Sequence, residues 1–158
     1  MLLADHAAVS EGKLFINGGG ITRFNVPSLP FAIPTLSVVI RMLADEGDHG
    51  DHRLLLEFLN PDNVQTMPPE PAIVTVSPPP PEVVPGEEYY IQVVASFGGL
   101  PILRSGVHRF RMSWDEERIR ELTLPVIDTS AEPSPLGRGA PAPRPASDEG
   151  AAGRRRND

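Results

Sequence analysis

The segment from Asp45 to His52 holds the densest group of possible metal ligands in the chain. Asp45, Asp48 and Asp51 carry the carboxylate oxygens that Ca²⁺ prefers, and His49 carries an imidazole that suits a transition metal. The spacing matches no EF-hand loop, and a His-x-x-His pair needs further ligands from elsewhere in the fold. Asp and Gly also satisfy the geometry of an ordinary solvated loop. Calcium or ligand binding by this loop is therefore an alternative hypothesis beside a plain hairpin connection.

Two histidines are the candidates for acid–base or nucleophilic chemistry. His6 follows Asp5 directly, but neighbours along a strand point to opposite faces, so Asp5 is not expected to orient His6. His108 has no serine elbow near it, and the sequence contains no Gly-x-Ser-x-Gly motif. Gly18-Gly19-Gly20 lacks the Gly-Lys-Ser/Thr and the helix that a phosphate loop requires, which favours a bulge or bend. The sequence predicts no catalytic residue.

Three arginines in the last third form a predicted outward stripe. Arg109 and Arg111 alternate with apolar residues and so share one face of a strand, and Arg104 is expected to line the same outward stripe. An anion-binding patch is one interpretation. Charge pairing across strands, with Glu87 and Glu88 as the expected partners, is favoured because opposite charges commonly stabilise sheets.

The elements that hold these residues are short runs of alternating apolar and polar side chains, separated by Gly, Pro and Asp clusters. The predicted strands are Leu2–Val9, Lys13–Asn17, Leu36–Leu43, Arg53–Leu59, Ala72–Val76, Tyr89–Phe97, Val107–Trp114 and Arg118–Ile127. Ile21–Val26 is expected to continue the second strand, and the proline-flanked Ala72–Val76 is expected at a sheet edge. Phe58, Phe110 and Trp114 fall on inward positions, which favours a core over an aromatic ligand cleft. The pattern predicts an all-β fold, a single antiparallel β-sandwich of about eight strands.

Composition divides the chain after Ile127. Residues 128–158 contain no aromatic side chain, and Leu136 is their only large apolar residue. Such a segment buries too little surface to offset the entropy of ordering. We predict a β-sandwich domain over residues 1–127 and a disordered Pro/Arg-rich tail over residues 128–158.

Charge and cysteine content restrict the partners and the compartment. The net charge of −7 lies entirely within residues 1–127, and an acidic surface disfavours nucleic acid and anionic membrane. The N-terminus lacks the basic region of a signal peptide, and no apolar run approaches the roughly 18 residues that cross a bilayer. The chain has no cysteine, which fits a reducing compartment. We therefore expect a cytoplasmic protein with no nucleic-acid or membrane partner.

Several short motifs resemble an uncharacterised bacterial family that is common in actinobacteria. The similar segments are Leu2–Asp5, Gly12–Leu14 with Gly18-Gly19, Gly106–Arg111, and Leu122–Val126. The resemblance covers residues 2–127 and omits the tail. It implies a domain of unknown function with a small β-sandwich in a bacterial cytoplasm, and it supplies no catalytic residue.

The sequence favours a non-catalytic binding or scaffolding module with an unidentified protein partner, because no catalytic constellation is present. The expected recognition surface is a sheet face, the edge at Ala72–Val76, or the proline-rich loops, and an edge would act by strand addition. The alternatives are a Ca²⁺- or ligand-binding sandwich that uses Asp45–His52, and an enzyme of unknown class. The sequence leaves the oligomeric state open.

Overall fold

Nine β-strands form the part of the chain that the computed structural model describes, which is residues 1–44, 48–67, 72–77 and 88–130. They are β1 (Leu2–Ser10), β2 (Lys13–Gly19), β3 (Phe24–Val26), β4 (Phe31–Leu43), β5 (Gly50–Leu59), β6 (Ala72–Val76), β7 (Tyr90–Ile102), β8 (Gly106–Trp114) and β9 (Glu117–Asp128). No helix occurs within these ranges. The prediction of an all-β sandwich is confirmed, with nine strands. The predicted tail lies outside the described residues from position 131 onward.

The strands form two sheets. Sheet A has the order β2-β1-β4-β7, and sheet B has the order β3-β9-β8-β5-β6. All neighbouring pairs are antiparallel except β3 and β9, which run parallel. The edge position predicted for Ala72–Val76 is confirmed, because β6 ends sheet B.

The core lies between the sheets and is built from the side chains at alternate positions of each strand, which point inward. Leu36, Val38 and Ile40 of β4 face Phe110 and Met112 of β8 across it. Phe110 is the largest of the fully buried side chains and packs between two other phenyl rings. The alternation that predicted these strands therefore also predicted their buried face.

The longest ladder joins β4 to β7, and both strands extend further than predicted. The sequence predicted an irregular crossing up to Pro34, yet β4 begins at Phe31. The pairing between β4 and β7 is continuous except at Pro34 and the opposite Gly99, where no partnership forms. Proline has no N–H to donate, so a long strand tolerates it where the ladder is interrupted.

The prediction that Ile21–Val26 continues the second strand is wrong. After Gly19 the backbone N–H groups of Gly20 and Ile21 both donate to the carbonyl of Leu3, and the chain turns. It then crosses to sheet B, where β3 pairs with β9. Gly18 and Gly19 thus still belong to β2, and the bend that the glycine run predicted begins at Gly20.

Candidate functional site

An open apolar cleft lies between the sheets on the side where β6 and β7 form their edges. Its volume is about 400 Å³. Phe97 of β7 packs 5.5 Å from Phe110 of β8, which places β7 above the middle of sheet B. Sheet B has one strand more than sheet A, and no described strand continues sheet A beyond β7. The inward face of β5 and β6 therefore extends past the edge of sheet A.

The floor of the cleft comes from alternate residues of β5. Leu54, Leu56 and Phe58 all point inward because side chains of a strand alternate between its faces. Ala72 of β6 lies opposite Leu54 in the ladder and continues the floor. Met67, in the segment that follows β5, also lines the cleft. Leu54 and Phe58 are buried and Leu56 is half-buried, so the cleft lies over a floor that is mostly packed against its neighbours.

The wall of the cleft is the edge of β7. Six consecutive residues, from Val93 to Gly98, line the cavity. Side chains alone cannot line a cavity from consecutive positions, because they alternate between faces. The backbone edge is therefore part of the lining. An edge strand presents a row of N–H and C=O groups without ladder partners, so the cleft combines apolar side chains with backbone groups that pair with no other described strand.

The lining carries no charge among the residues that the structure describes, and Ser96 is its only polar side chain. Charged groups lie at the start of β7. The guanidinium of Arg41 stacks 3.6 Å from the centre of the Tyr90 ring, and the Tyr90 hydroxyl donates a hydrogen bond to Glu88. That hydrogen bond is the largest cause of a raised pKa for Tyr90. The cleft itself is suited to uncharged groups.

A histidine–aspartate pair near the start of β5 was not predicted from the sequence. His52 precedes Leu54 by two residues and so points to the same face. Its Nδ1 lies 2.7 Å from Oδ2 of Asp115, and its ring stacks 4.7 Å from the ring of Trp114. The backbone N–H of Arg53 donates to the other carboxylate oxygen of Asp115. The Asp115 hydrogen bond is the main reason why the pKa of His52 is raised, and the same bond lowers the pKa of Asp115.

This pair fastens the β8–β9 turn to β5. Asp115 and Glu116 both have positive φ, as a two-residue hairpin turn of this type requires. The N–H of Asp115 also donates to the carbonyl of Arg53. No described serine or threonine hydroxyl forms a hydrogen bond with His52. The arrangement is therefore a structural clamp. His52 and Asp115 meet because of the register between β5 and β8, which the sequence did not specify.

The two histidines considered for catalysis lie in different environments. His108 is 1% exposed, stacks on Phe58, and has its Nδ1 3.4 Å from the carbonyl of Gly106. Burial lowers its pKa. It is a core residue of β8.

His6 is exposed on β1 and lines a cavity of about 200 Å³ together with Asp5, Ser37 and Ser96. The Ser37 hydroxyl accepts the N–H of Ala7 and lies 3.3 Å from the Ser96 hydroxyl. Neither hydroxyl is hydrogen-bonded to His6 within the described part of the chain. The cavity therefore brings together residue types used in nucleophilic catalysis without the bonds that would activate a nucleophile.

The structure describes only part of the predicted metal loop. Asp45 lies outside the described residues. The loop ends earlier than predicted, because Gly50, Asp51 and His52 belong to β5. Asp51 points to the outer face, where its carboxylate accepts a hydrogen bond of 2.6 Å from Thr75.

His49 is exposed, and Asp48 contributes its carboxylate and backbone carbonyl to the raised pKa of His52. Within residues 1–44, 48–67, 72–77 and 88–130, no three His, Asp or Glu side chains lie close enough together to hold a metal ion. Calcium binding by Asp45, Asp48, His49 and Asp51 stays a prediction.

Cross-strand charge pairing is confirmed for Arg109 and Arg111, with partners other than the predicted Glu88. Arg109 and Arg111 lie 3.2 and 3.6 Å from Glu121 of β9, and Arg111 lies 3.9 Å from Glu57 of β5. The partners are on adjacent strands of sheet B, whereas Glu88 precedes a strand of sheet A.

Arg104 is not part of this group, because it lies between β7 and β8 and pairs with Asp62 in the neighbouring turn. Glu87 lies outside the described residues.

Comparisons with known proteins give one match. The profile of a family of unknown function, DUF6941, matches residues 1–127. No curated protein and no solved structure matches the chain. Within the described ranges, no helix of the length and apolar character needed to cross a membrane is present.

Proposed function

We propose that this chain, which belongs to the family of unknown function DUF6941, is a non-catalytic protein-binding module. A partner protein contributes an extended segment that adds to sheet A beside β7. The observation that carries the proposal is the cleft, in which the edge of β7, which no further described strand pairs with, lies above apolar side chains of β5 and β6. A fifth strand at this position would make the two sheets equal in width and would cover those side chains.

An extended peptide matches the cleft better than a small apolar ligand does. A fatty acyl chain would fill the apolar space above Leu54 and Leu56 but would leave the backbone groups of β7 without partners. A buried polar group without a hydrogen bond costs about 1–3 kcal/mol. A peptide strand satisfies those groups and directs every second side chain towards the floor. About six residues, spanning roughly 20 Å, would pair with Val93–Gly98.

The chemistry of the cleft defines the segment. Its inward positions carry apolar side chains, because the floor offers no described charged or hydrogen-bonding side chain to meet a polar one. The tail of this chain does not fit that description, since Leu136 is its only large apolar residue. The tail also follows β9, which is separated from β6 by β8 and β5. The tail is therefore a poor match, and the occupant that we propose is a segment of another protein.

A peptide selection with a matched pair of variants tests the proposal. A display library of random 12-residue peptides is selected on the full chain, and enriched sequences are synthesised and titrated by calorimetry. We expect peptides with apolar residues at alternate positions. Leu56→Glu places a charge on the floor and should weaken binding about tenfold or more. Leu55→Glu is the control, because Leu55 is also half-buried and lies one residue away but points to the outer face of sheet B.

Hydrogen exchange distinguishes strand addition from simple filling of the cleft. Strand addition should protect backbone amides along β7 when the selected peptide binds. Both variants are checked for folding by circular dichroism and thermal unfolding. Selection without enrichment, equal loss of binding in both variants, or unprotected β7 amides would each refute the proposal.

We further propose that the protein is located in a bacterial cytoplasm. This location is supported by the cysteine-free sequence and by the resemblance of residues 2–127 to a bacterial family. Fractionation of the source cells followed by immunoblotting tests it, and recovery of the protein outside the cytoplasmic fraction would contradict it.

A further inference from the structure

The β1–β2 hairpin extends beyond the ladder that joins β1 to β4, although Ala7 is still buried against sheet A. β1 pairs with β4 only from Leu2 to Ala4, whereas it pairs with β2 as far as Ser10. Beyond Ala4, the hydrogen bond from the N–H of Ala7 to the hydroxyl of Ser37 is the one further bond to β4 among the described residues. The outer half of the hairpin is thus a two-stranded ribbon. Two-stranded ribbons are marginal in water unless a further strand or layer covers them.

The ribbon exposes large apolar side chains, and no described strand pairs with its outer edge. Val9, Phe15 and Ile16 are 43%, 56% and 41% exposed. β2 forms one edge of sheet A. Natural edges are usually protected by prolines, bulges or central charges. Between Leu14 and Ile16, β2 has none of these.

The order of residue types along β2 is symmetric about Phe15. Lys13, Leu14, Phe15, Ile16 and Asn17 read as polar, aliphatic, aromatic, aliphatic and polar. Two identical strands that pair antiparallel are related by a two-fold axis perpendicular to the sheet, so each residue meets one on the same face. With the axis at Phe15, the aromatic residues meet each other, Leu14 meets Ile16, and Lys13 meets Asn17. Each residue meets one of its own chemical type.

We propose that two copies of this chain associate through their β2 strands, with the two-fold axis at Phe15, to form a continuous eight-stranded sheet. Neighbouring registers are poorer. A shift of the axis to Leu14 sets Lys13 opposite Phe15, and a shift to Ile16 sets Leu14 opposite Gly18. The symmetric order identifies the occupant as a second copy, because an unrelated partner would place no symmetry requirement on β2.

This association is independent of the cleft. β2 and β7 form opposite edges of sheet A, so both can be occupied at once. In the pair of copies, the two clefts lie at the two ends of the eight-stranded sheet. Failure of either proposal leaves the other standing.

A charge-complementation experiment tests the register directly. Sedimentation equilibrium of the full chain should show a dimer. Phe15→Lys and Phe15→Glu should each raise the dimer dissociation constant about tenfold or more, because each sets two like charges opposite one another. An equimolar mixture of the two variants should recover association as a heterodimer, since only a residue that is its own partner places Lys opposite Glu.

Leu103→Lys provides the control for adding a charge at an exposed apolar site. Leu103 is at least as exposed as Phe15 but lies between β7 and β8. This variant should remain dimeric. A monomeric wild-type chain, dimerisation that survives both Phe15 variants, or a mixture that fails to associate would each overturn the proposal. Circular dichroism of each variant confirms that the sandwich is intact.

Discussion

Replacement of His108 by phenylalanine should remove part of the acid sensitivity of this protein. His108 lies in the core of β8, is 1% exposed, and stacks on Phe58 with a ring separation of 5.4 Å. Burial holds the pKa of His108 below its ordinary value of 6.5, with the hydrogen bond to Gly106 as a smaller opposing effect. The folded chain therefore holds this imidazole neutral over a pH range in which the unfolded chain protonates it.

The sign of the effect follows from proton binding. Below pH 6.5 the unfolded state binds more protons at His108 than the folded state does, so the free energy of unfolding falls as the pH falls. The contribution is fully present above pH 6.5 and decreases towards the lowered pKa of the folded state. For one group, linkage limits the loss between pH 7.5 and pH 5.5 to about 1.4 kcal/mol. Phenylalanine keeps the ring and removes the titration.

Urea unfolding at pH 7.5 and pH 5.5 measures the effect. The quantity of interest is the difference between the two pH values for each protein, compared between wild type and His108→Phe. Any pH-independent cost of fitting the larger ring cancels in that comparison. The other histidines are shared and also cancel. We expect a smaller loss on acidification in the variant. An equal or larger loss would refute the assignment of His108 as a neutral buried group.

Three further predictions concern other described sites. Gly18→Ala should lower the melting temperature by several degrees, because Gly18 has a φ of 62° and an added Cβ would overlap a neighbouring carboxylate. Gly12→Ala is the control: Gly12 has a similar φ but no such contact, so this variant should lower the melting temperature less. Asp115→Asn should lower the pKa of His52 measured by NMR titration, because the bonded carboxylate is the largest cause of the raised value; an unchanged pKa would contradict the clamp. If the acidic loop binds calcium, Ca²⁺ should raise the melting temperature of the full chain. The combined substitutions Asp48→Ala and Asp51→Ala should abolish that rise. A melting temperature that does not change with Ca²⁺ would exclude the hypothesis at the concentrations tested.

Local pattern accounts for the parts of the fold that were predicted. In β8 the strict alternation of Phe110 and Met112 with Arg109 and Arg111 is sufficient to define a strand and its buried face. The edge position of Ala72–Val76 followed from the prolines around it, because proline cannot donate to an interior ladder. These features depend on residues close together in the sequence, so a single chain displays them.

The candidate site was not predictable in the same way. The cleft exists because sheet B has five strands and sheet A has four, and because β7 and β6 form edges on the same side. Most of the strands are visible in the sequence, but their order is not. His52 and Asp115 are 63 positions apart and meet only through the register of β5 with β8.

By itself, the sequence determined most of the strands and which of their faces are apolar, with β3 and the first part of β4 as exceptions. The tertiary structure decided which strands are neighbours, and with that the partners of Arg109 and Arg111, the crossing of β3 to the second sheet, and the cleft beside β7. The physical reason is that side-chain alternation is a local consequence of backbone geometry, whereas strand order is selected by the packing of the whole core.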